Sequence, residues 1–252
     1  MRIIDLSARI EPSPEGTPAF QRNDVEYLDH AGGAAEIEEL FGVPRELLRD
    51  GEGWARETVT LGTHNATHLD APYHYNSTIA GRPAQTIDEL PLEMFIGDGV
   101  VLDMTGRADG EVIEVSDLET ALSAIGHRLA AGEIVLLHTG CDHFYGQPDY
   151  IHRGPGVSRV ATKWLYDRGI RVMGIDAWGW DRPLRMQAAD ALARREPGIF
   201  WEAHQADLAY SQIERLVNLH QLPPVGFTVS CLPLPIGRAS AAPARVVAIL
   251  AD

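Results

Sequence analysis

The sequence predicts an α/β fold, organised as one domain over residues 1–252. Three observations predict it: short apolar runs of strand type recur along the chain, helix-type stretches alternate with them through the middle third, and no Pro/Gly/Ser-rich or single-sign stretch marks a linker. A chain of 252 residues also has ample length for a buried core.

The elements follow in order. Residues 2–6 are the first expected strand, and residues 57–61, rich in β-branched side chains, are the second, closed by Gly62 and Thr63. Further strands are expected over 99–103, 134–139, 172–176, 227–231 and 244–251. Most are short continuous apolar runs, which suits strands buried on both faces. Between them, residues 116–130 predict a helix: Ser116 is followed three residues later by Glu119, a capping-box pattern, and Leu118, Leu122, Ile125 and Leu129 recur at helical spacing. Residues 158–168 predict a second helix, stopped by Gly169 as a C-terminal cap. The two ends of the chain carry more strand and proline, so additional β structure is expected around an α/β centre.

The formal net charge of −15 argues against a nucleic-acid partner, because phosphate binding needs a basic surface, and it favours solubility. Residues 1–7 lack the apolar region and cleavage site of a secretory signal, which predicts a cytoplasmic address. No apolar run approaches the ~20 residues needed to span a bilayer, so no membrane partner is expected. Two cysteines, Cys141 and Cys231, are too few for a disulfide framework and are expected as thiols, with Cys141 structural rather than nucleophilic.

The densest chemistry lies in His64-Asn65-Ala66-Thr67-His68-Leu69-Asp70-Ala71-Pro72-Tyr73-His74. Imidazole nitrogen and carboxylate oxygen together favour a divalent ion of the zinc or manganese kind. Pro72 and the β-leaning Thr67 argue for an extended path here, on which His68, Asp70 and His74 share a face while His64 closes the site from the preceding turn. Strand ends in α/β folds deliver functional groups to a cleft. His138, at the end of the 134–139 run, is therefore a plausible neighbour, and Asp176 a candidate to orient a ligand histidine. Trp178 and Trp180 could wall an aromatic pocket or pack in the core. Downstream, His204 and Glu214 each stand in an apolar setting. On one unbroken helix they would lie about 15 Å apart, too far for a shared ion, so they can meet only if the chain turns between Gln205 and Gln212.

These residues resemble the cyclase and bacterial kynurenine formamidase family, which also contains isatin hydrolase. The family signature His-x-Gly-Thr-His-x-Asp-x-Pro-x-His stands here with Ala66 in place of the usual glycine. Supporting matches are Asp88-Glu89-Leu90-Pro91-Leu92, Leu137-His138-Thr139-Gly140, Gly174-Ile175-Asp176-Ala177, His204 followed by Glu214-Arg215-Leu216-Val217-Asn218-Leu219, and Pro243-Ala244-Arg245. The resemblance implies a swivelling β/β/α fold, a homodimer or homotetramer, and a divalent metal held by His64, His68 and Asp70. In formamidase-like members it implies that Asp70 bridges to a second ion held by His204 and Glu214, with His74 as the acid/base; isatin-hydrolase-like members use a single manganese. Ala242 stands where the family has serine before proline, leaving Ser240 as a loose substitute.

The expected function is metal-dependent hydrolysis of an amide, cyclic amide or imide, or lactone bond in a small aromatic or cyclic compound, through water activated by the metal. Trp178, Trp180, Tyr73 and Phe144 are candidates for flat apolar walls, and the region from Pro12 to Trp54, with His30 and Phe20, could cover the site. The alternatives are a metal-dependent cyclase or dehydratase, and a regulatory metal-binding module without turnover.

Overall fold

Four strands run parallel at the centre of the molecule, the middle two of them almost wholly apolar, and the helices that connect them lie in the sequence between them. In the computed structural model, which describes residues 1–15 and 17–251, nine strands form one mixed sheet. We number them in chain order: β1 (Arg2–Asp5), β2 (His68–Asp70), β3 (Ile96–Asp103), β4 (Ile134–His138), β5 (Val172–Ile175), β6 (Ser211–Glu214), β7 (Phe227–Ser230), β8 (Ala241–Pro243) and β9 (Val247–Leu250). Their spatial order is β1-β9-β7-β3-β4-β5-β6-β2-β8. β3, β4, β5 and β6 are parallel neighbours, and the outer pairs are antiparallel.

Parallel strands need long crossovers, and helices supply them. Val115–Ala124 lies between β3 and β4, Arg159–Asp167 between β4 and β5, and Leu184–Arg194 between β5 and β6. Side-chain alternation then splits the apolar residues between two cores. One face carries Val100, Leu102, Val135, Leu137, Met173 and Ile175 against Leu118, Leu122, Ala161 and Leu165 of the helices. The other gathers Val101, Leu136 and Val172 with Ile4 and Ala248 from one end of the sheet and Leu69 and Ala242 from the other, so the sheet curls around this second core. A bridge between Ser7 and Leu216 ties the segment after β1 to the segment after β6.

The expected α/β class holds, with three local differences. The helix over 116–130 is shorter, Val115–Ala124, and its capping box is Glu114 with Asp117 rather than Ser116 with Glu119. Gly126, at φ +64°, follows the end of that helix, which is why Leu129 belongs to the next loop. The strand expected over 244–251 is shorter, β9 at Val247–Leu250, and a separate strand, β8, precedes it, with Ala244, Arg245 and Val246 between them. Residues 56–60 do form a strand but an exposed one, paired in antiparallel register only with Asp24–Leu28. The helix Arg159–Asp167 is as expected: Ser158 accepts from the Ala161 N–H, and Gly169 at φ +85° ends it.

The chain divides into two compact units, Met1–Arg9 with Thr63–Asp252, and Ile10–Gly62. The sheet and both cores belong to the first. The smaller unit is the hairpin Asp24–Leu28/Arg56–Thr60 with the helix His30–Phe41, capped by Asp29 at its start and by Gly42 in the left-handed region at its end. Within it His30 is committed to structure, its Nδ1 lying 2.8 Å from the Gly53 carbonyl. Among the described residues no helix is long and apolar enough to cross a membrane.

Candidate metal centre

Register builds the deep part of the site. β2 lies between β6 and β8, with His68 opposite Glu214 and Asp70 opposite Gln212. Because alternate residues of a strand share a face, His68, Asp70 and Glu214 project together while Leu69 and Ile213 enter the core behind them. His68 and Asp70 are wholly buried and Glu214 nearly so.

The tautomers follow from hydrogen bonds. His68 Nδ1 lies 3.0 Å from the Ala66 carbonyl, which can only accept, so Nδ1 carries the proton and Nε2 presents a lone pair. That lone pair faces Asp70 Oδ1 at 3.3 Å and Glu214 Oε2 at 3.6 Å. Ala66 reaches this place at φ +53°, a left-handed conformation that explains why glycine is usual there in the family signature. His204 is oriented by a carboxylate rather than a carbonyl: its Nδ1 lies 2.5 Å from Asp181 Oδ2, and its Nε2 faces Asp70 Oδ2 at 3.7 Å and Glu214 Oε1 at 3.6 Å. Asp181 also accepts from the backbone N–H groups of Ala203 and His204.

The outer part is less buried. His64 Nδ1 lies 2.8 Å from Asp70 Oδ1, and its Nε2 meets Ser240 Oγ at 3.0 Å. His74 Nε2 is 3.8 Å from Asp70 Oδ2, and the His64 and His74 rings are 3.9 Å apart. The extended path expected through His74 stops at Ala71. Pro72 occupies the first turn of the short helix Pro72–Tyr75, where its missing N–H costs nothing, and the turn brings His74 back over Asp70 four residues earlier. His204 and Glu214 meet as the predicted break requires, but Glu214 arrives on strand β6 rather than on a helix.

This donor set fits a divalent cation. His68 Nε2 and both oxygens of Asp70 are buried with no hydrogen-bond partner, even though His64 approaches Asp70 closely. Lone pairs of imidazole and carboxylate that converge without a proton between them are stabilised by a positive ion. Two overlapping groups have ligand atoms close enough to share one: His64, Asp70 and His74, and His68, Asp70 and Glu214. Burial pushes the Asp70 carboxyl up, yet the surrounding histidines hold it well below the usual carboxylate range. Burial and the Asp70 charge push Glu214 up. Burial lowers His74 to about 3 against the pull of Asp70. For His204 burial is overcome by Asp181 and Asp70, which raise it to about 10.

Several sequence expectations are corrected here. Asp176 orients no histidine: its carboxylate accepts from Thr139 N, Thr139 Oγ1 and Gly140 N, and the orienting role falls to Asp181. The ring of Trp180 is core, fully buried with its Nε1 donating to Thr162, although its backbone N–H donates to Glu214 Oε1 at 3.0 Å. The aromatic wall on the histidines is Trp201, stacked on His204 at 4.5 Å and edge-on to His74 at 4.8 Å. Phe144 packs against the core under Arg153. His138 faces His220 rather than the cluster. Cys141 and Cys231 are buried free thiols, and burial pushes Cys141 up to about 11. Asp181 and Trp201 were the residues that sequence reading missed. Asp181 lies in the same loop as Asp176, but nothing in sequence says which of these aspartates faces a histidine.

A curled α/β sheet holding a buried imidazole and carboxylates on two adjacent strands defines an α/β protein with a candidate metal site. The chain belongs to the family described as Putative cyclase, whose model matches residues 4–182. It is 30% identical over 260 residues to the kynurenine formamidase of Salinibacter ruber, covering 98% of this chain and 97% of that protein. It is 27% identical over 216 residues to the isatin hydrolase of Roseibium aggregatum, covering 81% of this chain and 78% of that one. The structure of isatin hydrolase A from Ralstonia solanacearum superposes with a TM-score of 0.77 at 23% identity, over 99% of this chain and 92% of that one.

Proposed function

We propose that this chain is a metal-dependent hydrolase that cleaves a carbon–nitrogen bond of an amide, cyclic amide or imide, or the ester bond of a lactone, in a small aromatic or cyclic compound. One observation carries the reading. His68 Nε2 and both Asp70 oxygens converge, buried and without hydrogen-bond partners, where a cation would satisfy all three. Relatives named kynurenine formamidase and isatin hydrolase support the reaction class.

In this reading His64, His68 and Asp70 hold a divalent ion, zinc or manganese, and Asp70 with His204 and Glu214 can hold a second. The ion when bound supplies Lewis acidity toward a carbonyl and acidifies water. The remaining work belongs to side chains. His74 stands at the outer side of Asp70, its Nε2 3.8 Å from Asp70 Oδ2, where its imidazole can accept a proton from water and return it to the leaving nitrogen or oxygen. Asp181 fixes the His204 tautomer, and Trp201 offers a flat wall beside both histidines. The net charge of −15 supports a protein without a nucleic-acid partner, and the reading extends to a cytoplasmic homodimer or homotetramer acting on a small molecule.

The test is metal content per chain together with hydrolysis of N-formylkynurenine, isatin and a simple lactone before and after chelation. Metal-dependent turnover of any of them is the expected result. Solvent oxygen in the product separates hydrolysis from cyclase chemistry, and bound metal with no turnover across the panel would favour the regulatory module.

A further inference from the structure

Arg215 is a buried cation that the proposed reaction does not use. It is 7% exposed, yet its side chain makes one hydrogen bond, from Nε to the Trp178 carbonyl at 3.3 Å. Its guanidinium lies 4.6 Å over the Trp178 ring. Among the described residues no carboxylate comes within 4.0 Å of it, in a chain with 36 Asp and Glu against 21 Lys and Arg. The terminal nitrogens, which form the planar fork that suits carboxylate, are therefore uncommitted. The Arg215 charge is felt at longer range by the buried Glu214 carboxylate beside it, and a nearly buried guanidinium without a contact ion pair is costly to maintain. Its backbone adds to that cost, at φ +59° in a residue that is not glycine.

Position ties this cation to the metal centre. Arg215 follows Glu214 directly, and the two side chains grip the same short stretch: Arg215 bonds the Trp178 carbonyl, while Glu214 Oε1 accepts from the Trp180 N–H. Only Gly179 separates those two backbone groups, so chain dimensions put Arg215 Nε within roughly 11 Å of Glu214 Oε1. One aromatic ring with two substituents bridges such a gap.

We propose that Arg215, stacked on Trp178, binds a carboxylate or similarly planar anion on the substrate, so that this hydrolase selects anionic aromatic compounds over neutral ones; this deepens the hydrolase reading and rests on it. The test is a binding measurement and needs no turnover. Metal-loaded wild type, Arg215→Lys and Arg215→Met are titrated with benzoate and with benzamide, its neutral counterpart, by ligand-observed NMR, with melting temperature and metal content recorded for each. The expected result is that wild type binds benzoate at least tenfold more tightly than benzamide, that Arg215→Met loses the preference with metal content unchanged, and that Arg215→Lys keeps part of it. A preference that survives in Arg215→Met would place the anion on the metal and overturn the proposal, as would a wild type with no preference. Should Arg215→Met not fold, the Lys variant decides: an undiminished preference there overturns the role of the guanidinium fork. Failure of the hydrolase reading shows up separately, as absence of turnover with the benzoate preference intact.

Discussion

Two of the described aspartates have no exposure at all, and their surroundings are opposite. Asp176, just beyond β5, has its carboxylate filled by three donors from the neighbouring loop, Thr139 N at 2.8 Å, Thr139 Oγ1 at 2.5 Å and Gly140 N at 2.8 Å. Asp70, on β2, has four histidines around it, the nearest nitrogen being His64 Nδ1 at 2.8 Å from Oδ1, and no backbone N–H or hydroxyl donates to either oxygen. The fold itself satisfies Asp176, which ties the turn after β4 to the end of β5. Asp70 meets only imidazole nitrogens, and a cation shared with those imidazoles would complete its surroundings. Burial alone therefore does not identify a functional carboxylate; the partner census does.

The sharpest break of this contrast is Asp70→Asn. An amide keeps the shape but loses one acceptor and the charge, so bound metal falls to background by elemental analysis and turnover falls with it. In chelator the variant melts below wild type, because the histidines around Asp70 favour its charge in the folded state and the amide gives that interaction up. Retention of metal by Asp70→Asn would end the metal-centre reading. His74→Ala separates proton transfer from metal holding. Its kcat should drop roughly 10²–10⁴-fold with metal content unchanged, and loss of metal instead would make His74 a ligand.

How far the sequence could reveal this contrast depends on the residue. His64, His68, Asp70 and His74 were legible because they crowd one short segment, and the parallel α/β centre was legible because apolar runs alternate with helical spacing. The need for His204 and Glu214 to meet across a break could also be argued, from helix length alone. What sequence could not show was register. Pairing of β2 with β6 sets Glu214 against His68, and no local pattern encodes that pairing. For the same reason the histidine-orienting carboxylate was assigned to Asp176 rather than to Asp181, and the aromatic wall to Trp178 and Trp180 rather than to Trp201. The turn at Pro72 was misjudged because proline at the first helical position starts a helix as readily as it ends a strand.

Asp176 sharpens the contrast through pH. Burial raises its folded-state value from 3.8 to about 6 despite the three hydrogen bonds. A carboxyl raised on folding binds its proton more tightly in the native state, so its stabilising contribution is complete below 3.8 and is lost as pH rises through about 6. Wild type should therefore lose about 3 kcal/mol of stability relative to Asp176→Asn across that window, on top of a constant offset of about 1–3 kcal/mol that favours wild type through its hydrogen bonds. Denaturant titrations of both proteins between pH 4 and pH 7 check it, and a difference that stays flat with pH would refute the raised value. Metal content of Asp176→Asn should be that of wild type, which is the point of the comparison.

The smallest effect belongs to the carboxylate one step removed from the cation. Asp181 is buried like the other two, accepts from Ala203 N and His204 N, and takes the Nδ1 proton of His204, so His204 Nε2 is left to face Asp70 and Glu214. In Asp181→Asn the amide can turn either its oxygen or its nitrogen toward the ring, and the tautomer is no longer enforced by charge. Metal affinity should weaken roughly 10–100-fold, measured by competition with a chelating dye, with occupancy restored at high metal concentration. Asp181→Glu does not rescue if the 2.5 Å contact sets the ring position, since the longer side chain cannot keep all three bonds. An Asp181→Asn protein with unchanged affinity would put Asp181 in the same class as Asp176, a carboxylate that holds a loop and nothing more.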